Sequence, residues 1–359
     1  MELHFTATLS IPSHASTVAF SPAGGLAVGG DDGSVRFYNP PETKVVKAIR
    51  GLGASISSIV FAQDEVPGAI WAASGKQVFH FPFDKTKLIY NREDASVIPD
   101  LVTADDDVLN ELALDASGSY LAFSCDSGAV GVVELQNNHK VSFMKASHQS
   151  ICGTVNFVHD RPSEIVSGGY DCALLHFDFG QRTILSRHDI TAPTTTSGVS
   201  LSPPFVLCTD ISSTGLLAVG TADGRILLGA GGTKGAKPKK KTRKWGGLDA
   251  NGIREHTVAE GPVVAVKFVS AECLLSCTLL GKLSAYTISP SNESADQFEL
   301  KEVWTGKTRS CAKVNALERH VNGRNGWLAV GGLDESGAKG SVDIWKLGLS
   351  AGVGVLLMQ

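Results

Sequence analysis

The sequence predicts an all-β fold, a seven-bladed β-propeller closed by an N-terminal strand. Three observations carry that reading. A three-strand phrase recurs along the chain. Its spacing stays within a narrow band. Gly or Pro interrupts each apolar run within about ten residues, which leaves no room for a long helix.

The phrase is clearest at 17–39, "TVAFSPAGGLAVGGDDGSVRFYN". A short apolar run meets a Pro-Gly turn, a second apolar run meets an Asp-Gly turn, and an alternating run follows. This is the text of three strands joined by tight turns. It returns at 110–135, 153–178 and 206–229, and in weaker form at 55–83, 263–288 and 316–345. The third strands end at Tyr38, Phe81, Val133, Phe177, Gly229, Tyr286 and Trp345. A period of about 40–45 residues with four strands per unit marks a propeller blade, and insertions lengthen the wider intervals. Runs such as "LAVGG" and "LLAVG" are apolar on both faces, as expected of sheets covered on both sides.

The units read as blades at 14–49, 54–90, 105–145, 148–187, 199–255, 256–304 and 312–347. The fifth carries a basic insertion at 229–252. The alternating text at 3–10 supplies the missing outer strand of the last blade, and 349–359 is a C-terminal tail.

Composition narrows the function. The 359 residues carry a net charge of −4. Seven basic residues, Lys234 to Lys244, fall in the insertion with no acid among them, leaving 25 basic against 36 acidic residues elsewhere. An acidic body does not fit a general nucleic-acid binder, although Trp245 beside the insertion offers a stacking surface. Neither a secretory leader nor a membrane span is expected, so the sequence points to a nuclear or cytoplasmic protein that is not secreted. The seven cysteines form no Cys-x-x-Cys pair and no zinc set, and read as buried free thiols.

The insertion begins like a phosphate cradle, "GAGGTKG" at 229–235, but matches neither dinucleotide nor P-loop spacing. Pro238 and a lysine run follow where a helix start would be required. Lys237, Lys239, Lys240, Lys241, Arg243 and Lys244 instead compose a candidate nuclear-import loop.

An Asp stands six residues before the third-strand end in three blades: Asp32, Asp171 and Asp223. Asp126 is one place off that register. This pattern resembles the WD-repeat proteins, in which the resemblance implies that such an Asp joins a His, a Ser or Thr and a Trp in a structural hydrogen-bond chain. His14, His148 and His256 occupy the corresponding His places. Blade four has His148, Ser167 and Asp171 but Phe177 at the Trp place. Blade seven has Trp345 but Lys339 at the Asp place. A His-Ser-Asp hydrolase triad is not supported, because Ser167 lies within the strand text "EIVSGG" and not on a strand-turn-helix elbow.

Residues 106–135 and 148–178 are similar in particular to the WD repeat-containing protein 53 group, most specifically at "SICGTVNF" and "RPSEIVSGGYD". The resemblance implies a non-enzymatic protein-binding scaffold without a cofactor. It further implies a substrate receptor of a cullin-type ubiquitin ligase, held by a triple-propeller adaptor. Receptors of that kind often carry Trp-Asp-x-Arg. This chain departs from it at "HFDFGQR" (176–182), with Phe177 for Trp and Arg182 two places late. A nuclear reader of histone peptides is the alternative, with a propeller enzyme the third class. Candidate partner-binding residues are the acidic set Asp105, Asp106, Asp107 and Glu111, and Tyr170 as an aromatic anchor. Asp-x-Asp-x-Asp-Gly metal spacing is absent.

Overall fold

A computed structural model describes every residue except 63–68, 85, 99–100, 103, 105, 193–201, 231–244, 292–296 and 350–359. The described strands form seven sheets, antiparallel except for one parallel pair in blade one, ordered radially along the chain. Blade four is representative. Its strands Cys152–Phe157, Glu164–Gly169, Ala173–Asp178 and Thr183–Asp189 pair in sequence order. The innermost strands of the seven blades are Ala15–Phe20, Ile56–Phe61, Leu109–Leu114, Cys152–Phe157, Val206–Ile211, Val263–Ser270 and Cys311–Asn322. They surround the axis.

The second strands are buried along their whole length in blades one, four and five. Each is covered by the neighbouring blade, which explains their lack of hydrophobic alternation. Glycine sets the closest approach. A Cβ on Gly168 would lie 2.3 Å from Val206 Cγ1, and one on Gly29 would lie 2.8 Å from Ile56 Cγ2. The "SGG" and "VGG" texts therefore mark where the next blade's innermost strand rests against the second strand.

Turns repeat the same chemistry. In five blades the segment leaving the outer strand donates a backbone N–H to the carbonyl in the turn between the second and third strands. Leu52 donates to Gly33 at 3.2 Å, His148 to Gly128 at 3.0 Å and Val258 to Gly224 at 3.0 Å. Those glycines adopt φ of +69°, +84° and +87°. Blade four places Cys172 at this position with φ +59°.

Ring closure uses both ends of the described chain. Strand Glu2–Ile11 pairs antiparallel with Gly340–Gly348, the third strand of blade seven. Asp343, fully buried, fastens this junction. Its carboxylate accepts hydrogen bonds from Thr8 Oγ1 at 2.8 Å, Ser310 Oγ at 2.6 Å, Arg309 N at 2.5 Å and Ser310 N at 3.1 Å.

Blade two runs past its expected limit at residue 90. Its outer strand is Ser96–Ile98, paired with Gln77–Phe81. The nearer segment, Ile89–Asn91, belongs instead to blade one, where it adds a parallel fifth strand beside Lys47–Arg50. Tyr90 explains the diversion: it is buried, with Phe81 and Phe83 packed edge-on against it.

Replacing Asp343 by Ala strands two backbone amides and two hydroxyls at the seam. The variant Asp343→Ala should lose about 3 kcal/mol of unfolding free energy. Urea titration checks this, and an unchanged midpoint would remove Asp343 from the closure.

Candidate protein-interaction surface

Blade four contains the fullest hydrogen-bond chain. His148 Nδ1 lies 2.8 Å from Asp171 Oδ1 and Nε2 lies 2.8 Å from Ser167 Oγ. Asp171 also accepts the backbone N–H groups of Gln149 and Ala173, at 3.0 and 3.3 Å. The connectivity matches a hydrolase triad, but no substrate reaches it: Ser167 is 0% exposed and His148 3%. Its geometry serves the turn and the strand behind it.

Other blades solve the same problem differently. In blade one, His14 Nδ1 meets Asp31 at 3.0 Å, not Asp32. Asp32 instead accepts from Ser34 Oγ at 2.5 Å and Arg36 Nη2 at 2.8 Å. Burial alone would raise the Asp32 carboxyl, but Arg36 and Ser34 hold it at about 2. In blade three, Asp126 accepts from Asn110 Nδ2 at 3.0 Å, while Asp107 accepts the turn amide of Ser127 at 2.9 Å. Blade five replaces the histidine with Arg225, which pairs with Asp223 at 2.7 Å and with Glu255.

His256 does not precede the innermost strand of blade six. It lies in Ile253–Thr257, the outer strand of blade five, and its Nε2 meets the Phe298 carbonyl at 3.1 Å. Trp345 is buried, yet its indole N–H has no acceptor among the described residues. In blade four, Ser167 sits two residues beyond the partner of Phe177. The same step from the partner of Trp345 reaches Val330, which offers no hydroxyl. Blade four thus keeps the serine without the tryptophan, and blade seven the tryptophan without the serine.

The proposed acidic rim is dispersed by the fold. Asp106 is exposed, but Asp107 is 6% exposed and committed to its turn. Asp105 lies outside the described residues. Glu111 stands on an innermost strand, where its carboxylate accepts Val155 N at 2.8 Å. It lines an axial cavity of about 370 Å³ with Asn110, Asn156, Thr209, Lys267 and Glu318. Burial pushes the carboxyls of Glu111 and Asp210 above their usual range. Burial alone would lower Lys267, but Glu318, Asp210 and Glu111 keep it above its ordinary value. Lys267 Nζ meets Glu318 at 3.1 Å, joining blades six and seven. Sequence reading missed this cluster, because its members are scattered over five blades and meet only at the axis.

Tyr170 is a corrected anchor. It is half-buried, not freely exposed, because its ring stacks on Phe205 of blade five at 5.4 Å with planes 14° apart. Backbone bonds fix the pair: Tyr170 N donates to Ile151 O, and Ala222 N to Phe205 O. A Cβ on Gly153 at the cavity mouth would lie 3.4 Å from the Tyr170 ring. This stack presents an aromatic edge where blades four and five meet the mouth.

The import-loop residues Lys237, Lys239, Lys240, Lys241, Arg243 and Lys244 lie outside the described residues. Chain beyond them is well anchored. Trp245 is 2% exposed, donates its indole N–H to Gly215 O at 2.8 Å and packs edge-on to His176. It therefore offers no stacking surface to nucleic acid. Burial pushes the Cys152 and Cys208 thiols up to about 12, far from a nucleophilic thiolate. Among the described residues, no three His, Cys, Asp or Glu side chains converge on a metal position, and no helix is long and apolar enough to cross a membrane.

No family model matches the chain. It is similar to the WD repeat-containing protein 53 homolog of Dictyostelium discoideum, with 22% identity over 221 residues. That alignment covers 56% of this chain and 58% of the relative, so the match spans little more than half of either. The β-propeller domain of Cps50 (Swd1) from Myceliophteria thermophila superposes with a TM-score of 0.70. It covers 97% of this chain and all of that domain, at 14% identity. The chain folds as a seven-bladed β-propeller.

Asp171→Ala should destabilise the propeller by about 1–3 kcal/mol, through hydrogen bonds lost to His148, Gln149 and Ala173. An unchanged melting temperature would refute the structural role. Burial also lowers His148, His188, His256 and His320 below the ordinary histidine value of 6.5. The folded chain therefore binds these protons less readily than the unfolded chain. Stability present above pH 6.5 is lost as pH falls through 6.5 toward the folded values. Melting midpoints measured from about pH 7 down to about pH 5 should decline, and a flat profile would contradict the assignment.

Proposed function

We propose that this WD-repeat propeller is a non-enzymatic scaffold that binds partner proteins on the face carrying its second-to-third strand turns. The observation that supports this is the Tyr170–Phe205 stack, half-exposed at the cavity mouth and held by backbone bonds from two blades. Rigid aromatic groups that lose little freedom on binding are the usual anchors of protein interfaces. The conspicuous His-Ser-Asp chain is sealed from solvent, which favours binding over catalysis.

A finer reading is a substrate receptor of a cullin-type ubiquitin ligase. The similarity to the WD repeat-containing protein 53 homolog supports it. So does the hairpin after Phe177, on the opposite face, where Asp178 accepts Gln181 N at 3.0 Å and Arg182 is exposed. That hairpin keeps an Asp and an Arg close together despite the altered spacing. The histone-reader alternative finds less support, since Asp107 and Glu111 are engaged inside the fold.

Affinity purification with mass spectrometry tests both levels. A double change, Tyr170→Ala with Phe205→Ala, should deplete partners held on the turn face while the melting temperature stays near that of the parent. Recovery of the full partner set would overturn the proposed surface. Recovery of a triple-propeller adaptor and a cullin, lost on Asp178→Ala with Arg182→Ala, would support the receptor reading. Absence of both from the parent purification would end it.

A further inference from the structure

Blades six and seven meet at their outer strands in a groove that neither the turn face nor the axial cavity accounts for. Its walls are Trp304 and Gly306 on Phe298–Lys307, and Leu3 and Phe5 on Glu2–Ile11. Trp345 lies between them as the floor. Its ring meets Phe5 edge-on at 5.5 Å and Trp304 at 6.0 Å. The open volume is about 760 Å³.

Two features distinguish this groove from ordinary surface. Phe5 is 39% exposed although it sits on the strand that closes the ring. A solvent-facing position on such a strand calls for a polar residue, as its neighbours His4 and Thr6 show. The second feature is charge. Lys307 and Arg309 are exposed at the end of the groove, and neither has a carboxylate partner among the described residues. Two other cations of blades five and six are paired, Lys282 with Glu302 at 3.5 Å and Arg254 with Glu299 at 2.8 Å, while Lys301 on the same outer strand is, like Lys307, exposed and without a carboxylate partner among the described residues. The Arg309 guanidinium stands 5.6 Å from the Phe5 ring centre, over its face. Asp343, the adjacent carboxylate, is filled by Thr8 and by Ser310 and the backbone at Arg309. Thus a chain of net −4 keeps two uncompensated cations beside an aromatic trough.

We propose that this groove docks a short acidic peptide segment of a partner protein, with one aromatic or aliphatic side chain seated against Phe5, Trp304 and Trp345 and flanking carboxylates paired with Lys307 and Arg309. Charge complementarity selects the occupant. A basic peptide would meet two like charges, and a neutral apolar one would leave both cations unused. Aromatic and Arg groups at the centre supply the contact area and geometry that hot spots require. A nucleic acid would extend past the groove over a chain whose net charge is −4 and whose basic residues are concentrated at 234–244, apart in the sequence from the groove residues. The site is remote from the Tyr170–Phe205 stack, so loss of either leaves the other measurable.

The test is fluorescence anisotropy of the full chain with a labelled peptide, Asp-Glu-Asp-Trp-Asp-Glu-Asp. Controls are the same peptide with Ala for Trp, the Lys-for-acid counterpart, and a labelled single-stranded oligonucleotide. Saturable binding of the first peptide is expected, weakening as salt rises. It should fall by about tenfold or more on Lys307→Glu with Arg309→Glu, and similarly when the peptide Trp is Ala. Both substituted residues are exposed, and unchanged thermal melting would confirm that the variant is folded. Trp304→Ala gives a second variant outside the closing strand and should weaken binding without altering salt dependence. Four results would overturn the proposal: no saturable binding, equal binding of the basic peptide, indifference to the charge reversal, or preferential binding of the oligonucleotide at the same residues.

Discussion

A four-stranded sheet that is apolar on both faces has no stable existence in water by itself. The need to cover both faces of every blade is the constraint on which the rest of this molecule depends. Each blade is covered by two like neighbours, and the arrangement satisfies all of them only when the ring shuts. Hence the importance of the junction between Glu2–Ile11 and Gly340–Gly348, where backbone pairing removes an edge and Asp343 satisfies the polar groups that the seam would bury. The glycines at Gly29 and Gly168 serve the same constraint, since only a residue without Cβ admits the next blade so closely.

Much of the architecture was legible because it repeats. Tight turns and apolar runs are local signals, and seven approximate copies reinforce one another. The polar groups were harder to read, because their partners are set by space and not by spacing. Asp107 holds a turn amide from the linking segment, where text alone offers only three adjacent acids. Arg225 replaces a histidine with a different chemistry, so a search for His passes over it. His256 sits at nearly the right place in the text but on an outer strand, because the insertion before it moves the blade boundary.

Aromatic residues show the same limit. Tyr170 was recognisable as a turn-face residue, but Phe205, its stacking partner, lies on the next blade across residues 193–201. Trp245 looked available beside a basic run and proves to be part of the interior between blades four and five. In both cases residue type suggested a role, and only the packing of adjacent blades decides exposure. The groove at Phe5 was invisible for a related reason: its walls come from residues near 5, 304 and 345.

The seam also has a consequence in time. Thr8 and Asp343 are separated by 335 positions. At a synthesis rate of about 5–20 residues per second, the first strand leaves the ribosome roughly 15–70 seconds before its partner. Throughout that interval the third strand of blade seven does not yet exist, and the early strand has an unoccupied edge. Any of the six preceding blades that folds in that interval does so without the closing sheet that covers the ends of the ring in the finished structure. Protection of the two ends during translation thus becomes a requirement of the fold, one imposed by the order in which the chain is made.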